Sequence, residues 1–263
     1  MGHAKYLSVI TAVSRPEFLP IIAWSVPIDA EWILVTDGPQ KIPRGLRPHL
    51  LIEGPKTGQW GDVQRRLGLE AATCPFVYFM DDDNLMLPIL ADLLVPYLED
   101  GDHLGVLFGL VVNIANETHV WPAPLRVKRG RVDTAMFLGR KNAIMNLRFP
   151  EPSYGRGWPD LHGERHGDFV FMEAFENQFG LARLPAIYGF HNAIDLLKNS
   201  EPDLYSDLEA HKFTNDTLTT ILNRCMINAD VPQWWHKGAA IAPPDPPCRQ
   251  LGECSPSCEA SSP

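Results

Sequence analysis

An uninterrupted apolar run, Phe76-Val77-Tyr78-Phe79-Met80, passes without a gap into three aspartates, Asp81-Asp82-Asp83. Continuous apolar runs of this kind suit a central strand of a parallel sheet, covered on both faces. The acidic triplet then falls at the carboxyl end of that strand. Open α/β sheets bind ligands outside those ends, where the strand order reverses. Adjacent carboxylates repel one another, so the place demands a cation or shifted pKa values. Mg²⁺ and Mn²⁺ take oxygen ligands and complete their shells with water and substrate phosphates, which suits a metal-bridged diphosphate. A solvated acidic loop is the competing reading, and the buried lead-in argues against it.

The flanking sequence alternates strands with helices, the pattern of a mostly parallel α/β sheet. Residues 6–13 read as a strand ending at the turn Ser14-Arg15-Pro16, and 32–36 as a second, stopped by Asp37-Gly38-Pro39. A weaker third strand falls at 49–53. Residues 62–72 have helical spacing, with Val63, Leu67 and Ala71 four apart and Asp62 placed to cap. A Pro-started helix is expected at 88–98 and a strand at 105–114. The second half is less regular. It gives a strand at 132–138, a short helix at 141–146, a long loop at 149–167 and a helix at 168–179. A strand at 184–190 then delivers His191, and 201–227 reads as one or two polar helices. From Gly238 the Pro/Ser/Cys-rich composition is that of an unstructured tail.

Charge and cysteine use narrow the classes. With 23 Lys+Arg against 32 Asp+Glu, the net charge is −9, so no nucleic-acid partner is expected. No apolar run approaches the roughly 20 residues of a membrane-spanning helix. Met1 to Lys5 shows neither a basic n-region nor a cleavage site, so a cytoplasmic location is expected, with the cytoplasmic membrane surface as the alternative. Cys248, Cys254 and Cys258 have a spacing that matches no common zinc pattern, and a reduced tail is the reading adopted.

Val77-Tyr78-Phe79-Met80-Asp81-Asp82-Asp83-Asn84 resembles the D-x-D region of GT-A nucleotide-sugar glycosyltransferases. In particular it resembles the inverting β-1,3-glucuronyltransferases of glycosyltransferase family 43, and more distantly family 2. Val9-Ile10-Thr11-Ala12-Val13-Ser14-Arg15-Pro16 is similar to that family's first strand and nucleotide loop. Trp32-Ile33-Leu34-Val35-Thr36-Asp37-Gly38-Pro39 is similar to its second strand. Gly61-Asp62-Val63-Gln64-Arg65-Arg66-Leu67-Gly68-Leu69 resembles the helix before the D-x-D strand. Val132-Asp133-Thr134-Ala135-Met136-Phe137, Gly167-Asp168 and Phe190-His191 have counterparts farther on.

The resemblance implies a GT-A, Rossmann-like α/β fold: a mostly parallel central sheet flanked by helices, in a single domain. That domain would span 1–237, with a nucleotide-sugar half at about 1–115 and an acceptor half at about 116–237, leaving the tail 238–263. It implies a UDP-sugar donor, a saccharide or glycoconjugate acceptor, and Mn²⁺ or Mg²⁺. Thr11 and Arg15 would lie in the nucleotide loop, Asp37 would hydrogen-bond uracil, and Arg65 would sit near the base or phosphates. Asp81 and Asp82 would hold the ribose, Asp83 the metal, and Asp133 would face the donor sugar. Asp168 would be the catalytic base, in a place where the family usually has Glu. His191 would touch the diphosphate or the metal.

An inverting transfer needs a general base on the acceptor hydroxyl, opposite the leaving nucleoside diphosphate. Asp168 has a competing role as a helix cap. Glu173 is the alternative base, about 140° round the helix. A neutral His191 ligates metal, whereas a protonated one donates to phosphate. His162, Glu164 and His166 lie among glycines and read as an acceptor loop rather than a metal site. Trp60 and Trp158 suit stacking or packing, and Arg126, Lys128, Arg129 and Arg131 a solvated hairpin or the border of an anionic acceptor site. A sugar-phosphate nucleotidyltransferase normally opens with a Gly-rich loop, and residues 11–16 hold no Gly. An aspartate-rich prenyl transferase would be all-α. An inactive nucleotide-sugar-binding module remains the third alternative, and turnover separates it.

Overall fold

Phe76 to Met80 are all buried in a strand that ends on Asp81, as the apolar run requires. In the computed structural model, residues 6–57, 61–86, 98, 103–114, 117–121, 126–129, 132–148, 167–194 and 198 are described, with 24, 111, 113, 114, 117–121 and 185–188 by backbone alone. Their strands are β1 Leu7–Val13, β2 Glu31–Asp37, β3 Leu50–Gly54, β4 Phe76–Asp81, β5 Leu85–Met86, β6 Gly105–Ile114, β7 Glu117–Trp121, β8 Phe137–Arg140 and β9 Ala182–His191. The helices are α1 Leu19–Ser25, α2 Asp62–Ala71, α3 Lys141–Met145 and α4 Gly167–Phe179. Across the sheet the order is β3-β2-β1-β4-β8-β6-β9-β5, with β7 paired to β6.

The first four positions are parallel throughout: β3 on β2, β2 on β1, β1 on β4. The chain moves from β1 to β2 and β3, then returns to place β4 on the other side of β1. That reversal puts a switch point between the carboxyl ends of β1 and β4, where Ala12 pairs with Asp81. Beyond β4 the sheet is mixed. β8 runs antiparallel to β4 and β6, β7 antiparallel to β6, and β9 parallel to β6. The expectation of a mostly parallel sheet therefore holds for the first half only. A connection as short as that between β6 and β7 closes a hairpin, whereas parallel pairs need a crossover of a dozen residues or more.

Helix α2 forms where the spacing placed it, but on a different face. Asp62, Gln64, Arg65, Gly68 and Leu69 are its buried residues, while Val63, Leu67 and Ala71 are only half-buried. A Cβ on Gly68 would collide with the Ile10 side chain, so glycine lets α2 lie directly on β1. Asp62 is not the cap. Gly61, at φ +89°, takes that position, and Asp62 pairs with Arg65 at 3.5 Å. Within the strand expected at 132–138, Thr134–Met136 form a 3-10 turn and strand begins only at Phe137, because Asp133 Oδ1 accepts the Ala135 N–H at 2.8 Å.

Helix α4 is pinned by aromatic packing. Phe171 and Phe175 meet Phe137 edge-on, with ring centroids 5.2 and 4.9 Å apart. This fixes where Asp168, in the first turn, projects. The turn Pro16–Phe18 and α1 have no counterpart in the sequence reading. Among the described residues, no helix is long and apolar enough to cross a membrane. Trp60, Arg131, the loop with Tyr154, Trp158, His162, Glu164 and His166, the helix at 201–227, the tail and all but Leu98 of the helix at 88–98 lie outside the described residues.

Candidate active site

A cavity of about 580 Å³ opens at the switch point, lined by Ser14, Arg15, Asp37, Gly61, Gln64, Asp81, Asp82, Asp83, His191 and Asn192 among others. Its floor is the acidic triplet, and the three carboxylates have different partners. Asp81 pairs with the buried Arg65 of α2. Asp82 is buried and accepts five hydrogen bonds. Its donors are the Ser14 N–H at 2.5 Å, the Ser14 hydroxyl at 2.9 Å, the Arg15 N–H at 2.6 Å, and Arg15 Nε and Nη2 at 2.9 and 2.5 Å. Asp83 receives Arg15 Nη1 at 2.9 Å. Burial, with Asp81 and Asp82 nearby, still pushes the Asp83 carboxyl up to about 6 against the pull of Arg15 and His191.

A second cluster stands at the ends of β9 and α4. His191 Nδ1 lies 3.2 Å from Asp133 Oδ2. Burial alone would lower the imidazole, but Asp133, Asp81 and Asp83 raise it to about 9. The same pairing outweighs burial at Asp133 and holds its carboxyl below the usual range. Asp168 moves the other way. Burial, then the negative charge of Asp133, pushes it up to about 8, with Arg65 opposing. A half-buried carboxyl poised in this way can take a proton from a hydroxyl.

Residues 51–170 match the family model described as glycosyl transferase family 2. On that match the chain is an enzyme, a glycosyltransferase. The matched segment is less than half of the 263 residues. It contains Arg65, the acidic triplet, Asp133 and Asp168, and leaves Thr11, Arg15, Asp37 and His191 outside. The likeness expected to be the more distant is thus the one a family model matches. No curated protein matches the chain. Among solved structures, S. aureus TarS 1-349 in complex with UDP overlaps at 15% identity, over 84% of this chain and 72% of that one, with a TM-score of 0.48. Glucosyl-3-phosphoglycerate synthase from Mycobacterium tuberculosis, in complex with Mn²⁺, UDP and glucosyl-3-phosphoglycerate, overlaps at 14% identity, over 84% and 80%, with a TM-score of 0.46.

Arg15, Asp37, Asp81, Asp82, Asp83 and His191 line one cavity, while Arg65, Asp133 and Asp168 stand behind it as partners. Thr11 does not face the cavity. It is fully buried, and its hydroxyl accepts the Trp32 indole N–H at 3.1 Å. Asp37 Oδ1 already takes the Thr57 N–H at 2.7 Å, the Thr57 hydroxyl at 3.2 Å and Gln64 Nε2 at 2.9 Å. Glu173 is exposed on the outer face of α4, away from the residues that pack on the sheet. Gln64 and Asn192 are cavity residues that the sequence reading did not single out. Asn192, at φ +54°, donates its N–H to Asn84 Oδ1 at 3.0 Å and ties the end of β9 to the acidic loop. Gln64 had no readable signal, because the apolar spacing of the helix points to Val63, Leu67 and Ala71, while its buried face carries Asp62, Gln64 and Arg65.

The donor set fits a hard divalent ion. Asp83 is a buried oxygen ligand whose ion-pair partner is already a cation, the Arg15 guanidinium. Among the described residues no group of three metal-ligating side chains converges, so substrate oxygens and water would supply the remaining ligands. His191, held protonated by Asp133, suits phosphate better than metal.

Proposed function

We propose that the protein transfers a sugar, with inversion, from a UDP-sugar to a hydroxyl of a saccharide or glycoconjugate acceptor. The observation that carries this reading is the cavity at the β1–β4 switch point. The acidic triplet, Arg15 and His191 line that one space, and Asp133 and Asp168, the carboxyl able to take a proton, stand behind it. Asp37 and Gln64 stand at the nucleobase end and Asp81 at the ribose. Arg15 and His191 take the diphosphate oxygens. Bound at Asp83, Mn²⁺ or Mg²⁺ would neutralise charge building on the leaving diphosphate.

Asp168 accepts the proton of the acceptor hydroxyl as that oxygen bonds to the anomeric carbon. The bond from that carbon to the diphosphate breaks, and its electron pair leaves with the nucleotide. Asp133, fixed by the 3-10 turn and by His191, faces the sugar and keeps Asp168 basic through its own charge. In this reading residues 1–237 form the catalytic unit, with the donor half at about 1–115 and the acceptor half at about 116–237. The narrower likeness to family 43 adds glucuronic acid to the donors worth testing.

Asp83→Ala tests the donor site: metal-dependent UDP binding should disappear, and normal UDP affinity in Mn²⁺ would overturn the metal assignment. A panel of nucleotide sugars that includes UDP-glucuronic acid, assayed for hydrolysis and transfer, tests the activity. Silence with every donor would favour an inactive binding module. Pyrophosphate release from a nucleoside triphosphate would favour nucleotidyl transfer.

A further inference from the structure

We infer that Arg15 is the switchable counter-ion of Asp83, so that the diphosphate draws its guanidinium away and opens the carboxylate to the metal. The inference rests on the donor site proposed above. The guanidinium spans two carboxylates, with Nε and Nη2 on Asp82 Oδ1 at 2.9 and 2.5 Å and Nη1 on Asp83 Oδ2 at 2.9 Å. The two attachments differ in what survives without it. Asp82 keeps the Ser14 N–H, the Ser14 hydroxyl and the Arg15 N–H, all fixed by the loop after β1. Among the described residues, Asp83 has Arg15 as its one ion-pair partner.

Arg15 holds Oδ2 of Asp83, and a divalent ion on either oxygen of that carboxylate would lie close to the guanidinium and be repelled by it, so each cation weakens the hold of the other. Arg15 is the group able to move. Its side chain is 38% exposed and lines the cavity, whereas Asp83 is buried at the start of the acidic loop. A diphosphate offers the guanidinium a bidentate partner of higher charge than a carboxylate. Release of Asp83 and capture of the diphosphate are then one exchange, and by linkage each ligand favours the other. Metal without nucleotide meets an occupied carboxylate. Nucleotide without metal meets an arginine that must give up an ion pair.

The test measures each ligand alone on the full chain. Mn²⁺ affinity without nucleotide is read from the electron paramagnetic signal of free Mn²⁺, and UDP affinity in EDTA is read by calorimetry. Arg15→Gln should tighten Mn²⁺ about five- to tenfold, within the usual range of coupling between sites. The same variant should weaken UDP about tenfold while leaving uridine unchanged. Opposite signs are the signature, because a merely destabilised protein would lose both ligands. Arg15→Lys keeps the charge but not the fork, and should fall between wild type and Arg15→Gln if the latter folds poorly. Unchanged or weaker Mn²⁺ binding in both variants would overturn the inference and leave the donor site standing. Failure of wild type to bind Mn²⁺, even with UDP, would overturn the donor site and this inference together.

Discussion

On the β1–β4 wall of the cavity, Asp82 is buried and meets five donors supplied by two consecutive residues, Ser14 and Arg15. On the β9–α4 side, behind the lining of the cavity, Asp168 is half-buried beside Asp133, with Arg65 as the opposing charge. Both are aspartates at the end of a secondary-structure element, and their surroundings give them opposite work. Dense donation fixes Asp82 as an ionised anchor that shapes the loop after β1. Burial and a like-charged neighbour leave Asp168 willing to hold a proton. One carboxylate builds the site and the other is available to react in it.

The largest effect should come from the reactive wall. Asp168→Asn keeps the size of the side chain and removes its basicity, so transfer should fall by about 10²–10⁴. UDP affinity and thermal stability should stay near wild type, because the carboxyl is already largely neutral at pH 7. A variant that transfers at the wild-type rate would remove Asp168 from the mechanism. The same wall predicts the pH profile. The base works only when ionised, so kcat/KM should rise about tenfold per pH unit up to about 8. His191 donates only while protonated, so the rate should fall again above about 9. A profile flat from pH 6 to 9 would contradict both roles.

The anchoring wall should answer in stability rather than pH. Asp82→Ala leaves the Ser14 and Arg15 N–H groups without their acceptor, while the part-exposed guanidinium keeps Asp83, at a cost of about 1–3 kcal/mol in thermal unfolding. If Asp82→Ala melts with the wild type, the donors are satisfied by water and the contrast between the walls fails. Farther from the ligand, Gly68→Ala forces α2 off β1 and should cost about 1–3 kcal/mol. Gln64 and Arg65 ride on that helix, so UDP affinity should weaken with it.

Much of the anchoring wall was legible in the sequence, because its parts are local. The apolar run and triplet mark β4, and Ser14-Arg15-Pro16 marks the end of β1. What was not legible is which aspartate meets which donor. That depends on the parallel β1–β4 register, which sets Ala12 beside Asp81 and so brings Ser14 and Arg15 over Asp82. The reactive wall was legible only through resemblance. Asp133, Asp168 and His191 are far apart in sequence, and they meet because β6, β8 and β9 form a mixed half-sheet. The helix α2 shows the limit of spacing arguments. Val63, Leu67 and Ala71 indicate a helix, yet its sheet side carries Gln64 and Arg65, polar residues retained for the cavity and for Asp81.

Glu173 supplies the smallest effect and the sharpest control. It lies about 1.4 turns along α4 from Asp168, on the exposed face, while Phe171, Met172, Ala174 and Phe175 face the core. A general base must reach the acceptor proton directly or through one water, and a solvent-facing side chain has no cavity partner to hold it there. Exposed substitutions of this kind usually change stability by less than about 0.5 kcal/mol, so Glu173→Gln should leave melting and transfer within about twofold of wild type. Loss of transfer in Glu173→Gln, with activity kept in Asp168→Asn, would exchange the two roles. It would also mean that α4 turns its outer face toward the acceptor, which the Phe137–Phe171 and Phe137–Phe175 packing opposes.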